Sequence, residues 1–91
     1  MKEQLKHKLE NHFQPIFIEV EDQSHMHSGH ASAPDGGNSH FECTVVSKEF
    51  IGVPLLKRHR LIYDALTKEM KQIHALALKA YTPQEWRKHN E

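Results

Sequence analysis

Histidine is the residue type in this chain whose number and spacing point to chemistry. There are nine in 91 residues, and four of them (His25, His27, His30 and His40) fall between Ser24 and His40, together with three glycines and one proline. Neutral imidazole is the commonest metal ligand among side chains, and it alone titrates unperturbed near neutral pH. The stretch therefore raises metal binding, proton-linked switching or a pH-sensitive partner surface. His25 and His27, spaced i, i+2, point the same way in an extended segment, and with His30 they read H-x-H-x-x-H, a weak divalent-metal clip. Structural zinc usually takes four ligands, often thiolates, and the chain has one cysteine, Cys43. A polar, pH-sensitive loop is the plainer reading. His74 stands apart. From the residues alone it is either a ligand or a structural histidine capping a carbonyl at a strand end.

These residues must be held by regular elements. Leu5, Leu9 and Phe13 recur at i, i+4, i+8 and predict an amphipathic helix over 2–13, ended by Pro15 because the residue before a proline avoids helical geometry. Residues 16–22 alternate as a half-buried strand, with Ile16, Ile18 and Val20 on one face and Phe17, Glu19 and Glu21 on the other. Residues 24–39 then form a connection far longer than the usual ~4–6 residues, and such loops are functional or disordered. Disordered linkers favour Ser, Glu or Lys over histidine.

Residues 40–47 read as a second strand with Phe41, Cys43 and Val45 inward, which makes Cys43 a core filler. Ser47 to Val53 reads as a turn with a short helical piece. A long helix is expected from Pro54 to Gln72, with Leu55, His59, Ile62, Leu66, Met70 and Ile73 on the inner stripe. Residues 74–81 predict a third strand with Leu76, Leu78 and Ala80 inward. Thr82-Pro83-Gln84-Glu85 is a capping box opening a short helix that carries Trp86. The order α-β-β-α-β-α gives one α+β domain over residues 1–91, a two-layer sandwich. Strands one and two are antiparallel, strand three is parallel to one of them after a crossover helix, and the helices stack on one face.

Composition narrows the function classes. Lys plus Arg equals Asp plus Glu at 12 each, which argues against wholesale attraction to nucleic acid or membrane. A single cysteine excludes an intrachain disulfide. No apolar run approaches the ~20 residues of a membrane span, and no signal-peptide core follows the charged start, so the expectation is cytoplasmic. Lys57, Arg58, Arg60, Lys68 and Lys71 could meet phosphates, although Arg58 and Arg60 point about 160° apart on a helix. The turn before the long helix has Gly52 alone, not the G-x-x-G clamp of a nucleic-acid KH domain. Tyr81 and Trp86 could stack on bases but more commonly pack in a core or interface. No nucleophile, phosphate loop or carboxylate pair sits in a catalytic setting, so no enzyme is expected.

The chain resembles the BolA family over nearly its whole length. The carriers are Val20-Glu21-Asp22-Gln23-Ser24-His25 with Gly29-His30-Ala31, then Ser39-His40-Phe41, Val46-Ser47 with Phe50 and Gly52, Arg58-His59-Arg60 with Tyr63, Ala65 and Leu66, His74-Ala75-Leu76, and Thr82-Pro83 with Trp86. The resemblance implies a fold similar to the class II KH domain. It also implies two roles. One is binding a monothiol glutaredoxin as a heterodimer and sharing a [2Fe–2S] cluster with it and glutathione, with His30 and His74 as the ligands from this chain; because two histidines are too few to hold a cluster, the isolated chain is expected to be free of it, as a monomer or weak homodimer. The other is DNA-binding transcriptional regulation of cell shape and stress response, through the basic face of the long helix.

Overall fold

The computed structural model describes residues 1–23 and 40–90. Its elements are α1 (Lys2–Phe13), β1 (Phe17–Asp22), β2 (His40–Val46), a 3-10 turn (Lys48–Phe50), α2 (Leu55–Ala65), α3 (Thr67–Met70), β3 (Ala75–Tyr81) and α4 (Pro83–His89). The sheet has the order β1-β2-β3. β1 and β2 pair antiparallel from Phe17 opposite Val46 to Asp22 opposite Phe41, and β2 and β3 pair parallel from His40 opposite Ala75 to Val46 opposite Tyr81.

One sheet face follows from the alternation. Val20, Phe41, Cys43, Val45, Leu76 and Ala80 are buried on it against Leu5, Leu9 and Phe13 of α1, Ile62 of α2, Leu66 and Ile73. Each large aliphatic or aromatic side chain removed from water there stabilises the fold by roughly 1.5–3 kcal/mol. α1 ends where Gln14 turns into left-handed geometry (φ 46°, ψ 56°) and donates its N–H to Glu10 O, just ahead of Pro15. Ser47 locks this end to the sheet. Its buried hydroxyl donates to Phe13 O at 2.7 Å and accepts from Glu49 N at 3.1 Å. Ile16 lies outside β1 and is 58% exposed, although its N–H still reaches Val46 O.

The long helix predicted from Pro54 to Gln72 is two helices. Pro54 is the N-cap of α2, and Leu66 leaves helical geometry at φ −106°, ψ 23°. Just beyond it the Thr67 hydroxyl donates to Asp64 O at 2.8 Å, the kind of local side-chain bond that competes with helical pairing. The inward stripe holds at Ile62 and Leu66 as expected and departs at its start. Leu55 is 57% exposed, and Arg58 with Ile62 faces inward.

Arg58 therefore leaves the basic face assigned to it from sequence. It is 7% exposed. Its Nε donates to Val53 O (2.7 Å), Nη1 to Ala80 O (3.1 Å) and Glu85 Oε1 (2.7 Å), and Nη2 to Glu85 Oε2 (3.2 Å). A guanidinium fork saturated in this way has little left for a phosphate. Glu85 is in turn the reciprocal member of the capping box that opens α4. Thr82 Oγ1 accepts from Glu85 N, and Glu85 Oε1 accepts from Thr82 N. α4 then folds back so that Trp86 stacks on Phe17 (4.9 Å between ring centroids, 21°) and touches Tyr81 and His89. Phe17, Val46 and Tyr81 are one cross-sheet row, so α1 and α2 cover one face while α4 closes the end of the other. Tyr81 and Trp86 are packing residues.

The Glu85 carboxyl is held below its ordinary value of 4.5, first by the hydrogen bond from Arg58 and then by the Thr82 backbone N–H. A lowered folded-state pKa contributes stability that is complete above the unfolded value and is lost as pH falls through the folded one. Stability should therefore decline below about pH 5, and Glu85→Gln should flatten that limb while changing neutral-pH stability by no more than ~1 kcal/mol, because the carboxylate is half-exposed. Urea melts at a series of pH values measure both.

Candidate functional site: a histidine pair at one sheet end

His74 is exposed on the bend immediately before β3, and His40 is the first residue of β2. Parallel pairing sets His40 opposite Ala75, which brings the two imidazoles to 5.0 Å between centroids at 54°. Gln23, just past β1, donates its N–H to His40 O at 2.9 Å. The two residues that flank segment 24–39 therefore meet at the same sheet end as His74. His40 is half-buried and its Nδ1 is out of contact with solvent, which leaves His74 the more accessible ring.

His25, His27 and His30 lie outside the described residues, so the structure places His74 without placing His30 beside it. What it does bring to His74 is His40, the last histidine of the 24–40 stretch and the first residue of the second strand. His40 and His74 open the second and third strands expected from the sequence, but the sequence left open which strand the third pairs with, and the observed pairing of His40 with Ala75 is what brings the two rings together. Among the described residues no group of three or more His, Cys, Asp or Glu side chains could hold a metal ion. Of the two rings, the exposed His74 could serve as one ligand to a metal ion whose remaining ligands come from elsewhere, with His40 packed beside it.

Cys43 is no part of this site. It is fully buried, and burial, then the Glu42 carboxylate, push its thiol up to about 12. Since the thiolate is the reactive form, the native chain should resist alkylation by iodoacetamide at pH 8, and label should appear only with denaturant. Intact mass after timed quenching reads both states.

The basic residues other than Arg58 are exposed, Lys57 and Arg60 on α2, Lys68 on α3 and Lys71 just beyond it. The break at Leu66 divides them between two helices. Gly52 sits at φ 77° in the turn ahead of α2, and a Cβ there would meet no atom within 4 Å. Backbone geometry, not space, asks for glycine at this position. No helix among the described residues is long and apolar enough to cross a membrane.

Fold and site together define a small α+β domain on a three-stranded mixed sheet, with a histidine pair at one end of that sheet. The chain belongs to the BolA family: the family model for BolA-like proteins matches residues 9–85. It is similar to the DNA-binding transcriptional regulator BolA of Escherichia coli (strain K12), 44% identical over 87 residues that cover 94% of this chain and 79% of that protein. It is also similar to SufE-like protein 1, chloroplastic/mitochondrial, of Arabidopsis thaliana, 49% identical over 86 residues, which are 89% of this chain but only 23% of that much longer protein. Among solved structures, the BolA domain of SufE1 from Arabidopsis thaliana matches with a TM-score of 0.80 at 45% identity, covering 92% of this chain and 93% of that one. BolA1 from Arabidopsis thaliana matches with a TM-score of 0.83 at 36% identity, covering 93% and 94%. The BolA relatives are named as regulators or as BolA-like proteins, not as enzymes.

Proposed function

We propose that this chain is a non-enzymatic adaptor that binds a monothiol glutaredoxin and shares a [2Fe–2S] cluster with it. The observation that carries the reading is an exposed His74 beside His40, at the sheet end where residues 23 and 40 meet. His74 offers one imidazole from the sheet frame, and His30 is assigned the second. The glutaredoxin cysteine and glutathione complete the donor set with thiolates. Imidazole ligation of one iron raises the reduction potential over an all-thiolate centre. Two histidines are too few to retain the cluster without the partner, so the chain should load only in the complex. A cytoplasmic setting, where glutathione is abundant and thiols stay reduced, fits this reading. The test is a visible absorption and circular dichroism titration of a cluster-loaded glutaredoxin homodimer with this chain. A new spectrum saturating at one-to-one is expected, and an unchanged spectrum overturns the proposal.

A second reading is DNA-binding regulation. It draws on the name of the Escherichia coli relative and on the exposure of Lys57, Arg60, Lys68 and Lys71. Binding through these residues should weaken steeply with salt, with a log–log slope of about −0.9 per phosphate contacted on duplex DNA, and Lys57→Glu with Arg60→Glu should abolish it. A cluster bridge is insensitive to salt in that range. Fluorescence anisotropy of duplex DNA between about 50 and 200 mM salt separates the two.

A further inference from the structure

The end of the molecule opposite the histidines carries an unused surface. Ile51, Leu55 and Leu56 are 63, 57 and 65% exposed, and they follow one another across the turn that leads into α2. The turn cannot easily fold them inward. Ile51 N–H bonds Lys48 O (3.1 Å), Val53 N–H bonds Phe50 O (3.0 Å), and the Arg58 guanidinium holds Val53 O. The result is a rigid apolar ridge, and a surface fixed in its binding shape loses little entropy when it docks. A groove of about 510 Å³ runs along one side, lined by Lys48, Ile51, Gln84, Arg87 and Lys88 among others. A second, of about 620 Å³, lies on the other side against Val53, Leu55, Tyr81 and His89.

Charge gives the surface a sign. Lys48, Lys57, Arg87 and Lys88 are exposed around the ridge, whereas among the described residues the acidic side chains there are Glu49 and Glu85, the latter engaged by Arg58. The whole chain is balanced at 12 against 12, so the excess is local. β3 runs from Ala75, beside His74, to Tyr81, about 20 Å at ~3.3 Å per residue, which separates this surface from the histidine site.

We propose that the ridge and its basic rim are a docking surface for a second protein, which presents an acidic segment bearing aliphatic or aromatic side chains, while the histidine end is engaged elsewhere. An apolar centre inside a polar rim is the anatomy of protein–protein interfaces. Nucleic acid fits less well, because phosphates are met by cations and N–H groups and three aliphatic side chains at the centre would gain nothing from them. A second copy fits less well too, because a two-fold contact sets the same cations against one another.

The test uses the full chain without cluster or glutaredoxin, so its outcome is independent of the function proposed above. A random library of twelve-residue peptides displayed on phage is selected on the immobilised chain and counter-selected on a Leu56→Ser, Arg87→Glu variant, whose two substituted positions are exposed and whose fold is verified by its thermal melt. Peptides rich in Asp and Glu with two or more apolar anchors are expected. The strongest of them should shift the backbone amides of residues 51–53, 55–56 and 87–88 in a nitrogen-15 titration and leave His74 and Ala75 in place. Leu56→Ser alone should weaken it about tenfold, in keeping with the apolar area removed. Failure to enrich, enrichment of basic or uncharged peptides, or shifts centred elsewhere overturn the proposal. So does a duplex of about twenty base pairs that shifts the same amides as tightly, or a dimer in sedimentation that Leu56→Ser abolishes.

Discussion

Arg58→Ala is expected to lower folding stability by on the order of 3 kcal/mol, and for a domain of this size to lower the melting temperature by roughly 10–20 °C. The side chain joins three parts of the chain that are far apart in sequence: the turn before α2 through Val53 O, the end of β3 through Ala80 O, and the first turn of α4 through both oxygens of Glu85. Its guanidinium carbon also lies 6.0 Å from the centroid of the buried Phe50 ring. Truncation leaves two carbonyls without these donors, at about 1–3 kcal/mol for each one left buried. Glu85 contributes less, because it is half-exposed and water can replace its partner. Arg58→Lys should recover less than half of the loss, since an ammonium is a point charge and cannot form the two-pronged contact. Urea denaturation of the three proteins reads these differences. A loss below ~1 kcal/mol for Arg58→Ala would show that the hub contributes no more than a surface ion pair.

That hub marks the limit of what could be read in the sequence. Short-range patterns carried through: Leu5, Leu9 and Phe13 predicted α1 over the bounds it has, the alternation of Phe41, Cys43 and Val45 predicted the inner face of β2, and Thr82 with Glu85 predicted the capping box. Each of these depends on residues within about two helical turns or one strand. Arg58 failed because its partner Glu85 is 27 positions away, and an arginine in Arg58-His59-Arg60 reads as surface unless that partner is known. Placing His59 on the inner stripe left Arg58 off it and put Leu55 inside, where the structure leaves it in water, while Ile62, Leu66 and Ile73 of the same stripe are buried as expected. The break at Leu66 was missed for a related reason, because the apolar spacing continues through it to Met70 and Ile73 while the backbone does not. At the site, His74 was legible as a strand-end histidine. Its nearness to His40 needed the parallel pairing of β2 with β3, a tertiary fact.

His74→Ala should leave the fold intact and abolish the spectrum of the glutaredoxin heterocomplex. The two parts of that expectation have separate causes. His74 is exposed on a bend, outside the core cluster, and substitutions at such positions usually change stability by less than ~0.5 kcal/mol. A variant that melts with the wild type and still binds apo-glutaredoxin would isolate the imidazole as the lost group. His30→Ala should behave in the same way if the second ligand comes from residues 24–39. His40→Ala distinguishes the roles of the neighbouring rings. With its Nδ1 withdrawn from solvent, His40 is suited to orient His74 across the 5.0 Å between their centroids rather than to ligate. Its loss should shift the reduction potential of the complex and leave its absorption in place, because the groups around a ligand tune a centre without building it. A wild-type spectrum in His74→Ala ends the ligand assignment. Loss of the spectrum in His40→Ala with retention in His30→Ala transfers the second ligand from the loop to the sheet, and the cluster would then sit on two adjacent parallel strands.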